Sequence, residues 1–76
     1  MKSRQKQDIK FAVCITTTEP DLEFRKLYQV IPDEAAKKEN HLRIIDESGE
    51  DYLYPAEFFI VIEVPKEAER ALLLAS

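Results

Sequence analysis

Residues 42–55 read Leu-Arg-Ile-Ile-Asp-Glu-Ser-Gly-Glu-Asp-Tyr-Leu-Tyr-Pro. Two apolar arms, residues 42–45 and 52–54, flank a polar hexapeptide. Ile, Tyr and Leu suit a pleated, half-buried surface. The hexapeptide holds Gly49, the only glycine in the chain. Glycine reaches positive φ without steric cost, which a tight hairpin with a G1-type bulge requires. Pro55 lacks an N–H and ends the second arm. The pattern predicts a β-hairpin.

On the C-terminal side, residues 55–59 (Pro-Ala-Glu-Phe-Phe) predict a single 3₁₀ turn, a common short connector. Residues 59–64 return to strand, and Glu63 gives that strand one wet face. Residues 66–74 predict a helix with Pro65 at its first position, where a missing N–H costs nothing. Ala68, Ala71, Leu72 and Ala75 share one face of it.

On the N-terminal side, residues 32–40 are polar and predict a short helical loop. Asp33 can cap its start, Glu34 suits the positive end, and Lys37 and Lys38 suit the negative end. Asn40 tolerates the left-handed conformation that stops a helix. Residues 27–31 predict a strand, preceded by a short extended piece and a bend at Arg25 and Lys26. Glu19, Pro20 and Asp21 supply turn chemistry. Residues 10–15 alternate, with Phe11, Val13 and Ile15 on one face and Ala12 and Cys14 on the other. The expected core is Phe11, Val13, Val30, Ile44 and Phe59. The division is a flexible basic arm over 1–9, a barrel over 10–64 and a C-terminal helix over 65–76.

Seventy-six residues make one small domain with little room for an enclosed cofactor pocket beside its core. Hydrophobic residues are 45% and charged residues 34%, the balance of a soluble globular chain rather than a disordered one. The longest apolar run, residues 58–62, is far short of the roughly 20 residues of a membrane span. No apolar stretch follows the basic residues at the start, as a signal peptide would require. One cysteine excludes an internal disulfide and suits a reducing compartment. A cytoplasmic protein is expected.

Net charge is −4, unevenly spread. Lys2, Arg4, Lys6 and Lys10 against Asp8 leave the first ten residues at +3. Between Arg43 and Lys66, the acids Asp46, Glu47, Glu50, Asp51, Glu57 and Glu63 stand without a base, giving −6. One reading is a flexible arm and a solvated acidic face; the other is a docking face for a basic partner.

The order of elements resembles an SH3-like barrel: strand, long irregular excursion, strand, loop, hairpin, 3₁₀ turn, short strand. Residues 21–31, Asp-Leu-Glu-Phe-Arg-Lys-Leu-Tyr-Gln-Val-Ile, resemble the segment that closes the RT loop and enters the second strand of SH3 domains. Residues 54–59, Tyr-Pro-Ala-Glu-Phe-Phe, resemble their Pro-Ser-Asn-Tyr-Val turn. The resemblance spans about residues 11–63 and implies an all-β, five-stranded barrel. It also implies a shallow binding groove bordered by Pro55 and Phe58, beside Tyr54. SH3 domains that bind proline-rich peptides carry Ala-Leu-Tyr-Asp-Tyr in the first strand and a Trp at the start of the third. This chain has Phe-Ala-Val-Cys-Ile at 11–15 and no Trp, with His41 or Leu42 near the Trp position. The stretch at 45–55 also resembles small bacterial proteins of unassigned function, a likeness that brings no activity with it.

Cys14 and His41 invite a nucleophile–base reading. Against it, Cys14 lies within an apolar strand, where a free thiol packs as a small hydrophobe. A reactive thiolate also needs an electropositive setting and an orienting group. Asp46, Glu47, Glu50 and Asp51 invite a calcium reading, but the D-x-[DN]-x-[DN]-G loop pattern is absent. Hairpin tips collect such residues for backbone reasons. One His and one Cys cannot build a structural zinc site, and one glycine cannot build a phosphate-cradling loop. No cofactor is expected, and no enzyme.

The expected function is a non-enzymatic module that binds another protein through Tyr54, Pro55 and Phe58, with Glu50, Asp51 and Glu57 beside them. Tyr54 and Phe58 as core residues is the competing reading. The alternative function is a nucleic-acid-associated regulator using the basic arm, which lacks aromatic residues for stacking. Leu72, Leu73 and Leu74 cover more than one helix face. Either one of them docks on the barrel or the run is a homodimer contact.

Overall fold

A computed structural model describes residues 10–75 of the chain. The elements are β1 (Lys10–Cys14), β2 (Leu27–Ile31), α1 (Glu34–Lys38), β3 (His41–Ile45), β4 (Asp51–Pro55), a 3₁₀ turn (Ala56–Phe58), β5 (Phe59–Ile62) and α2 (Lys66–Ala75). The basic arm expected over 1–9 lies outside the described residues.

Local chemistry builds each piece. At the hairpin tip, Gly49 N–H donates to the Asp46 carbonyl at 2.9 Å, and Asp46 N–H donates to the Glu50 carbonyl at 3.1 Å. Gly49 sits at φ 88°, as the bulge after a tight turn demands. Asp33 caps α1, its carboxylate accepting from Ala36 N–H at 3.0 Å. Asn40 at φ 59° turns the chain out of α1 and into β3. Arg25 makes the bend before β2 at φ 72°, and its N–H donates to the Cys14 carbonyl at 2.7 Å.

The five strands form one curled antiparallel sheet, a half-barrel in the order β4-β3-β2-β1-β5. Among the described residues, β4 and β5 do not pair, so the sheet keeps two free edges.

Ala12, Cys14, Leu22, Tyr28, Val30, Ile44 and Phe59 form the core, with Leu42, Tyr54 and Phe58 packed against it. Val30, Ile44 and Phe59 take their expected places. On β1, Phe11 is buried as expected, and the expectation for Val13 is corrected. Ala12 and Cys14 are fully buried in the cluster, while Val13 is half-buried and Ile15 exposed. Phe11 is buried, yet by strand alternation it lies on the other face from Ala12. The register gives the reason: Ala12 stands across from Tyr28 and Cys14 across from Phe59. Small side chains oppose the large rings, so the inside of the curl fills without overlap.

Candidate functional site

Tyr28 and Tyr54 both stack edge-to-face on Phe59, with centroids 6.4 Å and 6.1 Å away. Buried tyrosine needs a partner for its hydroxyl. Here each partner comes from the hairpin tip. Tyr54 donates to the Asp46 carboxylate at 2.6 Å, and Tyr28 donates to the Glu47 carboxylate at 2.5 Å. Tyr28 Oη in turn accepts Glu23 N–H at 2.7 Å.

Asp46 is a buried carboxylate, 5% exposed, and it is fully engaged. Its Oδ1 also accepts from Ser48 N–H at 2.9 Å and Ser48 Oγ at 2.6 Å. Burial raises its pKa, but the bonds from Ser48 and Tyr54 together outweigh that and hold it below its ordinary 3.8. Glu47 is held below its ordinary value by Lys26, 2.5 Å away, and then by Tyr28. Burial first, and the neighbouring carboxylate second, push both tyrosine hydroxyls well above their ordinary 10.0. Glu47 N–H donates to the Asp21 carbonyl at 3.1 Å, which ties the tip to the β1–β2 loop. The acidic tip is thus a clamp that closes one end of the half-barrel.

The opposite end is open. A cleft of about 300 Å³ lies there, with Val30, Leu42 and Val61 among its lining residues. Lys10, Lys37 and His41 line its mouth, together with Asp33 and Arg43. Arg43 is taken up by Asp33 at 2.8 Å and Asp51 at 2.9 Å. His41 Nδ1 lies 2.7 Å from the Glu39 carbonyl oxygen.

The two free edges differ. In an antiparallel pair, alternate residues turn their N–H and C=O toward the partner. Ala56 N–H donates to the Asn40 carbonyl and Asp46 N–H to the Glu50 carbonyl. In the register of β3 and β4, these bonds turn Asp51, Leu53 and Pro55 outward. Pro55 has no N–H to offer there, and Asp51 puts a charge on the strand, two devices that blunt an edge. On β5, Ile15 N–H donates to the Phe58 carbonyl at 2.8 Å, which turns Phe59 and Val61 outward. The Phe59 N–H is used by the Ala56 carbonyl. Val61 N–H and C=O meet no partner among the described residues. No charge or proline interrupts Phe59–Ile62, and Ile60 and Val61 are 52% and 46% exposed.

The structure separates the expected binding residues. Glu50, Asp51 and Glu57 are exposed, and Tyr54, Pro55 and Phe58 are half-buried. Tyr54 and Phe58 pack against the core, and the Tyr54 hydroxyl is committed to Asp46. Cys14 is buried, with its thiol 3.5 Å from the Thr16 carbonyl, and His41 lies at the cleft instead. Leu72 and Leu73 are half-buried and Leu74 is 80% exposed. Among the described residues no group of three or more His, Cys, Asp and Glu is placed to hold a metal ion. Among them, too, no helix is long and apolar enough to cross a membrane.

Sequence reasoning missed the Lys26–Glu47–Tyr28 chain and the cleft. Lys26 and Glu47 are 21 residues apart and share no element, so no periodicity links them. The cleft lining combines residues from β2, β3 and β5, and only the register brings them together. No family model matches the chain, and neither a curated protein nor a solved structure matches it.

Proposed function

We propose that the chain is a small SH3-like barrel, left open between β4 and β5, that serves as a non-enzymatic cytoplasmic module binding another protein. The observation that carries this reading is the exposed apolar side chains on the two free edge strands. Tyr52 and Leu53 on β4 and Ile60 and Val61 on β5 are each about half exposed. Large apolar side chains left exposed on a free edge strand mark it for interaction. The 3₁₀ turn between β4 and β5 and the long loop between β1 and β2 support the SH3-like part of the reading. Pro55 and Phe58 border the contact, and Tyr54 supports it from beneath. Glu50, Asp51 and Glu57 favour a partner carrying Lys or Arg, and set on-rate and salt dependence.

Affinity capture from a lysate, followed by mass spectrometry, tests the reading. A specific protein should be retained by the chain and released by the triple variant Glu50→Lys, Asp51→Lys, Glu57→Lys. Retention of nothing above background, or equal retention by that variant, overturns it. The Leu72, Leu73 and Leu74 run is the proposed contact for a second copy. Leu74→Glu should then turn a dimer into a monomer in sedimentation, and a monomeric parent chain at high concentration removes that contact.

A further inference from the structure

We infer that the β5 edge and the adjoining cleft together form a strand-addition site. Its occupant is an extended segment of a partner protein with one large apolar side chain and a Lys or Arg at one end. This rests on the protein-binding reading above and specifies how the partner docks.

Two observations converge on Val61. Its N–H and C=O point off the sheet, in the position to accept another strand. It lines the cleft with Val30 and Leu42, and its pairing with the buried Ala12 puts its side chain on the inner face of the curl. In a strand added to β5, the residue directly opposite Val61 carries its side chain on the same face of the sheet. That side chain therefore enters the cleft. A volume of about 300 Å³ takes a Leu or Phe side chain. Main-chain bonds supply affinity in such a mode, and the pocket supplies the choice of residue.

The other edge is the weaker acceptor. A strand docked on β4 would meet Pro55 where a donor is needed, and Asp51 already holds Arg43. Charge selects the partner. The apolar run of β5 lies between exposed Glu57 and Glu63. Lys10 stands at the Glu63 end of β5, one step beyond the Phe11–Ile62 pair. Glu57 then remains as the attractor of a cation at the start of β5. An antiparallel partner segment thus reads apolar anchor first, then a base three or four residues later.

The probe is the synthetic peptide Ac-Thr-Phe-Thr-Val-Lys-Lys-NH₂, titrated into the ¹⁵N-labelled full chain. Amide shifts should concentrate at Val61 and Glu63 and at the cleft residues Val30 and Leu42. Exchange of the Val61 amide should slow with saturation. Replacing the peptide's Phe by Ala should weaken binding about tenfold or more, the loss of a buried aromatic side chain. Val61→Lys, which charges the edge and blocks the cleft, should abolish the shifts while the rest of the spectrum stays native. Ile60→Lys, on the opposite face, should leave the peptide bound. Shifts confined to β4 or to Tyr54 and Phe58 would overturn the strand-addition site and leave the protein-binding reading standing. A spectrum unmoved at millimolar peptide, or full binding by Val61→Lys, would also overturn the site. Failure of the protein-binding reading itself shows separately, in the capture experiment.

Discussion

The two ends of the half-barrel are built from different materials. At the hairpin-tip end, three aromatic rings fill the curl and two carboxylates hold the tyrosine hydroxyls. At the other end, aliphatic side chains of β2, β3 and β5 leave a cleft. The comparison teaches where this small domain keeps its stability and where it offers surface. A ring with a polar tip fills space and is also tied at the far side, so the end becomes rigid. Val and Leu stop short of closing the sheet.

The largest expected effect breaks the filled end directly. Phe59→Ala removes the ring on which both tyrosines lean and should cost about 3–5 kcal/mol. Val61→Ala, on the same strand at the open end, should cost less than about 1 kcal/mol, because that side chain is only half-buried. Urea denaturation of the two variants measures both. Similar losses at the two positions would erase the distinction.

Next comes the carboxylate under the tip. Asp46→Ala leaves the Tyr54 hydroxyl and the Ser48 groups without their acceptor, and should cost about 2–3 kcal/mol. Tyr54→Phe removes one bond and keeps the ring, so it should cost about 1–2 kcal/mol. Thermal melts of the two variants give the order.

The clamp also sets the pH limits of the fold. Asp46 and Glu47 have folded pKa values below their ordinary 3.8 and 4.5. Their contribution is present above those ordinary values and is lost as pH falls through the lower, folded ones. Stability should therefore decline as pH drops below about 4.5, and Asp46→Asn should flatten part of that decline. Tyr28 and Tyr54 behave in the opposite sense, because their folded pKa values are raised above 10.0. Their contribution is present below pH 10.0 and is lost as pH rises toward the folded values. Tyrosinate absorbance should rise together with the loss of near-ultraviolet circular dichroism. Gradual titration of all three tyrosines in a chain that stays folded would contradict the clamp.

The smallest effect comes from the β1–β2 loop, beside the filled end. Arg25 holds φ 72°, and its guanidinium lies 4.8 Å from the centre of the Phe24 ring. Arg25→Gly relieves about 1 kcal/mol of backbone strain and forfeits about 0.5 kcal/mol of stacking. A net gain of about 0.5 kcal/mol, read by urea denaturation, is expected. A loss would mean that the stacked pair outweighs the strain.

Legibility followed the range of the interactions involved. Gly49, Asp33 and Asn40 act on backbone within a few residues, so the bulge, the helix cap and the helix stop could be read directly. The alternation of β1 was legible as well, but both of its faces are apolar. Which one lies inside the curl depends on the rings of Tyr28 and Phe59 across the register, and Val13 was accordingly misplaced, whereas Phe11 is buried as expected. Among the expected binding residues, the exposure of Glu50, Asp51 and Glu57 agrees with their charge, whereas Tyr54 and Phe58 could be weighed either way until the core was visible.

By itself, then, the sequence determined the elements, their turns and caps, and the uneven spread of charge. These depend on backbone conformation and on neighbours a few residues away. Only the tertiary structure decided that the acidic tip is a clamp, with Glu47 bridging Lys26 and Tyr28 across 21 and 19 residues. It alone also decided that Val61 stands at both a free edge and a cleft. The physical reason is common to both. Curling the sheet brings side chains of different strands together at distances set by register and volume, and neither quantity is written in any single stretch of the chain.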